Sequence, residues 1–164
     1  MKEIWFRAKR KDDGKWVEGF YGEFHKKHPI LSDENPYQIF EPREDAHFLG
    51  SCIGGLWRII NRETVSQFIG IRDKHGVKIF EGDIIRFRAF RYEPHWVGEV
   101  KYDDRNAMFV LVGFMPCRYD SRYPNPFEVQ VSSKDKDTFE IIGNRWDNPE
   151  YLGEDVYERL LVQR

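Results

Sequence analysis

Residues 67–88 leave this chain little choice of fold. Two short apolar runs, Phe68 to Ile71 and Val77 to Phe80, flank the polar turn Asp73-Lys74-His75-Gly76. A second corner, Glu81-Gly82-Asp83, launches a third run from Ile84 to Phe90. Apolar runs this short, bounded by Gly and Asp, read as strands rather than helices. Gly76 and Gly82 stand where a tight turn needs a backbone that residues with a side chain resist. The stretch predicts a compact antiparallel β structure, and it carries little chemistry of its own.

The same grammar runs through the rest of the chain. Ile4, Phe6 and Ala8 alternate with Trp5, Arg7 and Lys9, and Asp12-Asp13-Gly14-Lys15 supplies a hairpin turn. Trp16, Glu18, Phe20, Gly22 and Phe24 return on one face, with Val17, Gly19, Tyr21 and Glu23 on the other. Residues 25–55 are irregular, with Tyr37 to Phe40 a short strand placed at an edge by its neighbours Pro36 and Pro42. Leu56 to Ile60, Trp96 to Asp103, Phe127 to Val131 and Phe139 to Ile142 complete the strand pattern. Ala107 to Phe114 is apolar on both faces and is expected to be the central strand of its sheet. Asn148-Pro149-Glu150 has the form of a helix start, and a short C-terminal helix is expected there. The fold class is therefore mainly β, with antiparallel sheets and a barrel-like, SH3-like arrangement. It reads as a single domain over 1–164, with 1–55 and 56–164 as sub-modules.

Thirteen Phe, eight Tyr and five Trp make the chain rich in rings, which favour strands and also stock interfaces. A net charge of −2 gives no overall drive toward nucleic acid. The charged start, Met1 to Arg10, has no apolar leader core, and no run is long enough for a bilayer, so a cytoplasmic protein without membrane contact is expected. Cys52 and Cys117 form no CxxC and are expected to be reduced.

No nucleophile elbow, phosphate loop or dinucleotide motif is present, so no catalysis and no cofactor are expected. Glu81 and Asp83 flank Gly82 as a paired acid and base do in an enzyme, but a carboxylate at a strand entry more often bonds to neighbouring N–H groups. His25 and His28 share an HxxH spacing in a Lys-rich, Pro-ended loop, which suits solvent better than a metal. The strongest candidate surface is cationic and aromatic: Arg86, Arg88, Arg91 and Tyr92, with Arg118, Tyr119, Arg122 and Tyr123 as a second patch. Guanidinium groups contact phosphates and rings stack on bases. The same residue types anchor protein interfaces, and they also make an ordinary solvated sheet face.

Ile4 to Ala8, Thr64 to Gly76, Lys78 to Ile85, Phe139 to Asn144 and Asn148 to Glu150 occur in an order that resembles the YopX family of phage and prophage proteins. The likeness spans both ends and the centre; residues 25–55 and 115–126 match none of its motifs. It implies a β-rich protein encoded by a bacteriophage or integrated element and acting in a bacterial cytoplasm. It implies no established activity, so no catalytic residue is carried over. The expected role is a non-enzymatic interaction protein, self-associating into a homo-oligomer and binding a host or phage protein. The alternative is a nucleic-acid-binding accessory factor that uses the arginine and tyrosine loops.

Overall fold

The computed structural model describes residues 4–23, 37–42, 55–88, 95–115, 125–132 and 136–152. The chain divides into two compact units, Met1–Phe68 and Ile69–Arg164.

In the first unit, β1 (Phe6–Lys9) and β2 (Trp16–Glu23) form the expected hairpin, with Ala8 opposite Val17. Gly14 closes its turn at a φ of +69°. β3 (Tyr37–Pro42) and β4 (Gly55–Ile59) extend the sheet, and β5 (Ser66–Arg72) pairs with the far side of β1. The order is β4-β3-β2-β1-β5. β3 is therefore interior, not an edge: Pro42 is its last residue, so the missing donor falls at the end of the ladder. A 3-10 turn, Arg62–Thr64, joins β4 to β5. Asn61 caps it by accepting from the Glu63 N–H, and the Thr64 hydroxyl accepts from the Lys9 N–H at 2.8 Å. Ala8, Val17, Ile39 and Ile60 form the core of this unit.

The second unit contains β6 (Lys78–Phe80), β7 (Asp83–Phe87), β8 (Trp96–Asp103), β9 (Met108–Met115), β10 (Asn125–Gln130) and β11 (Glu140–Asn144). Five of them make an antiparallel sheet in the order β10-β9-β8-β7-β11. β8, rather than β9, is central. Its Gly98 and Glu99 are both buried, and Glu99 is neutralised by Arg145 and Lys101 at 3.1 and 3.2 Å. The core is Ile69, Ile79, Ile85, Phe87, Val100, Leu111 and Phe139. Phe87 sits edge-on to Trp96, Phe127 and Phe139, with centroids 5.6 to 5.8 Å apart. Ring pairs of this kind add about 0.5–1.5 kcal/mol each beyond burial.

The mainly antiparallel β reading holds. Among the described residues closure into a barrel is not found; a lone bridge joins Arg10 to Ile60. The helix expected at Asn148 is a 3-10 turn, Pro149–Leu152. No helix among the described residues is long and apolar enough to cross a membrane.

Candidate functional site

The central corner is a structural joint. Gly82 has a φ of +77°, a conformation strained for any residue with a side chain, and a Cβ there would lie 2.6 Å from the Trp146 ring. Its N–H donates to the Val100 carbonyl at 2.8 Å, and its carbonyl accepts from the Arg145 N–H at 2.9 Å. Asp83 is fully buried and accepts the Phe80 N–H at 2.8 Å. Glu81 is half-buried, and that burial raises its carboxyl pKa against the opposing pull of Arg145. The turn at Gly76 is built alike, with Asp73 Oδ1 accepting from the N–H groups of His75 and Val77 at 2.9 Å each. Both carboxylates that looked chemical in sequence are thus bound into backbone geometry or a folded corner. Among the described residues no cluster of His, Cys, Asp and Glu could hold a metal.

What grips Gly82 is the segment after β11. Asn144 Oδ1 accepts from the Trp146 and Asp147 N–H groups, at 3.1 and 2.9 Å, and turns the chain back over the corner. A Cβ at Gly143 would meet Asn148 Oδ1 at 2.5 Å, so that glycine is what lets the turn pack against its own strand. Motifs sixty residues apart in sequence therefore form one object.

The cationic surface is only partly composed as expected. Arg86 in β7 is half-buried, Arg88 just past the strand's end is exposed, and Phe87 between them points into the core at 5% exposure. Arg86 is bound to Glu140 of β11, with Nη2 to Oε2 at 2.8 Å. Lys74 reaches the same oxygen at 2.8 Å. Donation by Lys74 and then by Arg86 holds the Glu140 pKa down to about 2. Arg88 donates through Nε to His95 Nε2 at 3.1 Å. Arg91, Tyr92, Arg118, Tyr119, Arg122 and Tyr123 lie outside the described residues, as do His25, His28, Cys52 and Cys117.

A family model described as YopX protein matches residues 5–153, the span that holds both the corner and the segment gripping it. The chain belongs to the YopX family. A crystal structure of protein EF1440 from Enterococcus faecalis is similar over 93% of this YopX chain and 100% of its own, at 20% identity and a TM-score of 0.49. No curated protein matches.

Sequence reasoning missed a second surface of this YopX protein. Phe20 and Phe40 are direct partners across β2 and β3, and Phe40 and Trp57 across β3 and β4, so all three side chains share a face. Trp5 packs edge-on against Phe20 at 5.0 Å, and Phe40 lies tilted against Trp57 at 5.2 Å. The result is a row of rings across three strands and the residue that leads into β1, with Phe20 51% and Trp57 48% exposed. Beside it, Arg7 stacks over Trp16 at 4.6 Å. The signal was present in the alternation of β2, where Phe20 shares the register of Glu18. That β2 has Tyr21 in the opposite register hid which set of rings faces outward.

Proposed function

We propose that this YopX protein is a non-enzymatic interaction protein, encoded by a phage or prophage and acting in the bacterial cytoplasm. It self-associates, and the surface used is the ring row of the first unit. The observation that carries this reading is the exposure of Phe20 and Trp57 within a continuous line of aromatic side chains. Exposed rings with a neighbouring arginine are the composition of interface centres rather than of ordinary surface.

A second copy is the occupant favoured by two features. Residues 1–68 carry as many Lys and Arg as Asp and Glu, so two copies meet without net repulsion. The row also ends on β4, the last strand of its sheet, where Leu56, Trp57 and Ile59 are all exposed. Such an edge offers backbone pairing along with apolar contact. Size-exclusion chromatography with light scattering, across a range of concentrations, tests this. The wild type is expected to form an oligomer, and the double variant Phe20→Ser, Trp57→Ser a monomer. A wild type that stays monomeric at every concentration sinks the reading. Salt-sensitive binding to single-stranded DNA or RNA by that monomer would support the accessory-factor alternative instead.

A further inference from the structure

The second unit holds a charge imbalance that neither the fold nor the proposed self-association uses. Glu140 stands opposite Arg86 in the register of β11 with β7, and Phe87 stands opposite Trp96. Arg88 and His95 follow one step further along, and the Lys74 ammonium comes in from the turn. Lys74 and Arg86 thus share one carboxylate, with Arg88 alongside through His95, and the buried Asp73 carboxylate, whose Oδ2 accepts from the Ile141 N–H at 3.4 Å next to Glu140, leaves the cluster one excess positive charge before His95 titrates. All three donors given to Glu140 fall on its Oε2: Lys74 Nζ at 2.8 Å, Arg86 Nη2 at 2.8 Å and Arg86 Nε at 3.2 Å. Arg88 uses only Nε on His95, which leaves both Nη groups for another acceptor.

We propose that Lys74, Arg86, Arg88 and His95 form a site for a phosphate monoester dianion, part of which the Glu140 carboxylate occupies in the free protein. That excess charge, joined by the proton that His95 takes up, matches a dianion better than the single charge of a phosphodiester. Guanidinium forks supply the paired donors that a phosphoryl group accepts. His95 couples the site to protons. It accepts from Arg88, so its Nε2 carries no proton in the free protein, and partial burial followed by Arg88, Arg86 and Lys74 lowers its pKa, with Glu140 alone opposing. An arriving dianion accepts from Arg88 and from a newly protonated His95, so binding takes up a proton at Nε2.

The test follows His95 by NMR in the full chain, in chloride and in inorganic phosphate at matched ionic strength. Phosphate is expected to raise the His95 midpoint by about one pH unit, a tenfold preference for the protonated form. Dimethyl phosphate, a diester, is expected to leave it unmoved, and so is phosphate added to Arg88→Gln, an exposed substitution whose folding is checked by thermal unfolding. Glu140→Gln, which releases Lys74 and Arg86, is expected to tighten phosphate binding severalfold. A His95 midpoint identical in chloride and phosphate overturns the proposal. An equal response to the diester overturns the assignment to a monoester. The oligomeric state of the ring-row double variant is read separately, so neither result decides the other.

Discussion

The two units differ in where their largest ring clusters go: the second turns its cluster inward, whereas the first, besides packing Phe6, Tyr21 and Tyr37 on its core, sets a row of rings outward. In the second, Phe87, Phe127, Phe139 and Trp96 turn inward and pack edge to face. In the first, the core is Ala8, Val17, Ile39 and Ile60, and the large rings Trp5, Phe20, Phe40 and Trp57 lie on the opposite face of the strands. An inward ring stabilises by burial that folding alone supplies. An outward ring leaves apolar area in water until something covers it. One composition therefore serves two ends, and the difference lies in register, not in residue type.

Glycine substitution breaks the comparison most sharply. Gly14 and Gly82 both have positive φ, at +69° and +77°, but a Cβ at Gly14 meets nothing within 4 Å while one at Gly82 meets Trp146. Gly14→Ala is expected to cost about 1 kcal/mol, the penalty of the left-handed backbone alone. Gly82→Ala adds overpacking of roughly 1–3 kcal/mol, for a total of about 3 kcal/mol. Urea unfolding of the two variants measures the difference. Equal destabilisation would mean that the indole moves aside and that the second unit is not held at its corner.

That corner was the most legible part of the chain, because its instructions are local: a turn residue, a glycine and an apolar run within a few positions of each other. The hairpin at Gly14 was readable for the same reason. Strand order was not. Whether β8 or β9 is central depends on whether Glu99 finds its partner, and Arg145 lies 46 residues away. The candidate surface was half legible for a related reason. Arg86 and Arg88 were picked out by alternation with Phe87, but nothing near them in sequence marks Glu140 as the carboxylate that claims Arg86. Alternation in β2 likewise shows two faces without saying which meets the core, since both carry rings.

The ring row sharpens the comparison at the level of association. Phe20→Ser with Trp57→Ser removes exposed area, so the stability of the isolated chain should change by no more than about 1 kcal/mol. Association should weaken at least tenfold, about 1.4 kcal/mol, if copies meet through this face. Phe87→Ser in the second unit should do the reverse: a large loss of stability, with association unaffected while the first unit stays folded. Sedimentation and urea unfolding on the same samples separate the two effects. If both double and single variants lose stability alike, the outward rings are part of a core after all.

The smallest effect concerns Glu140, where the second unit uses charge rather than rings to join β11, β7 and the turn at Lys74. Its carboxyl is held at about 2, against an ordinary value of 4.5, first by the Lys74 hydrogen bond and then by Arg86. A pKa depressed by folding means that the unfolded chain binds the proton more readily. The stabilisation is therefore complete above about pH 5 and drains away as the pH falls from there toward 2. Its full size is on the order of 1 kcal/mol, because a quarter of the Glu140 side chain and more of Lys74 remain in water that screens the pair. Urea midpoints taken from pH 6 to pH 3 should fall more steeply for the wild type than for Glu140→Gln, which has no proton to gain in that window. Parallel curves would show that Lys74 and Arg86 gain nothing from the carboxylate between them, and the second unit would then be held by its inward rings and its corner alone.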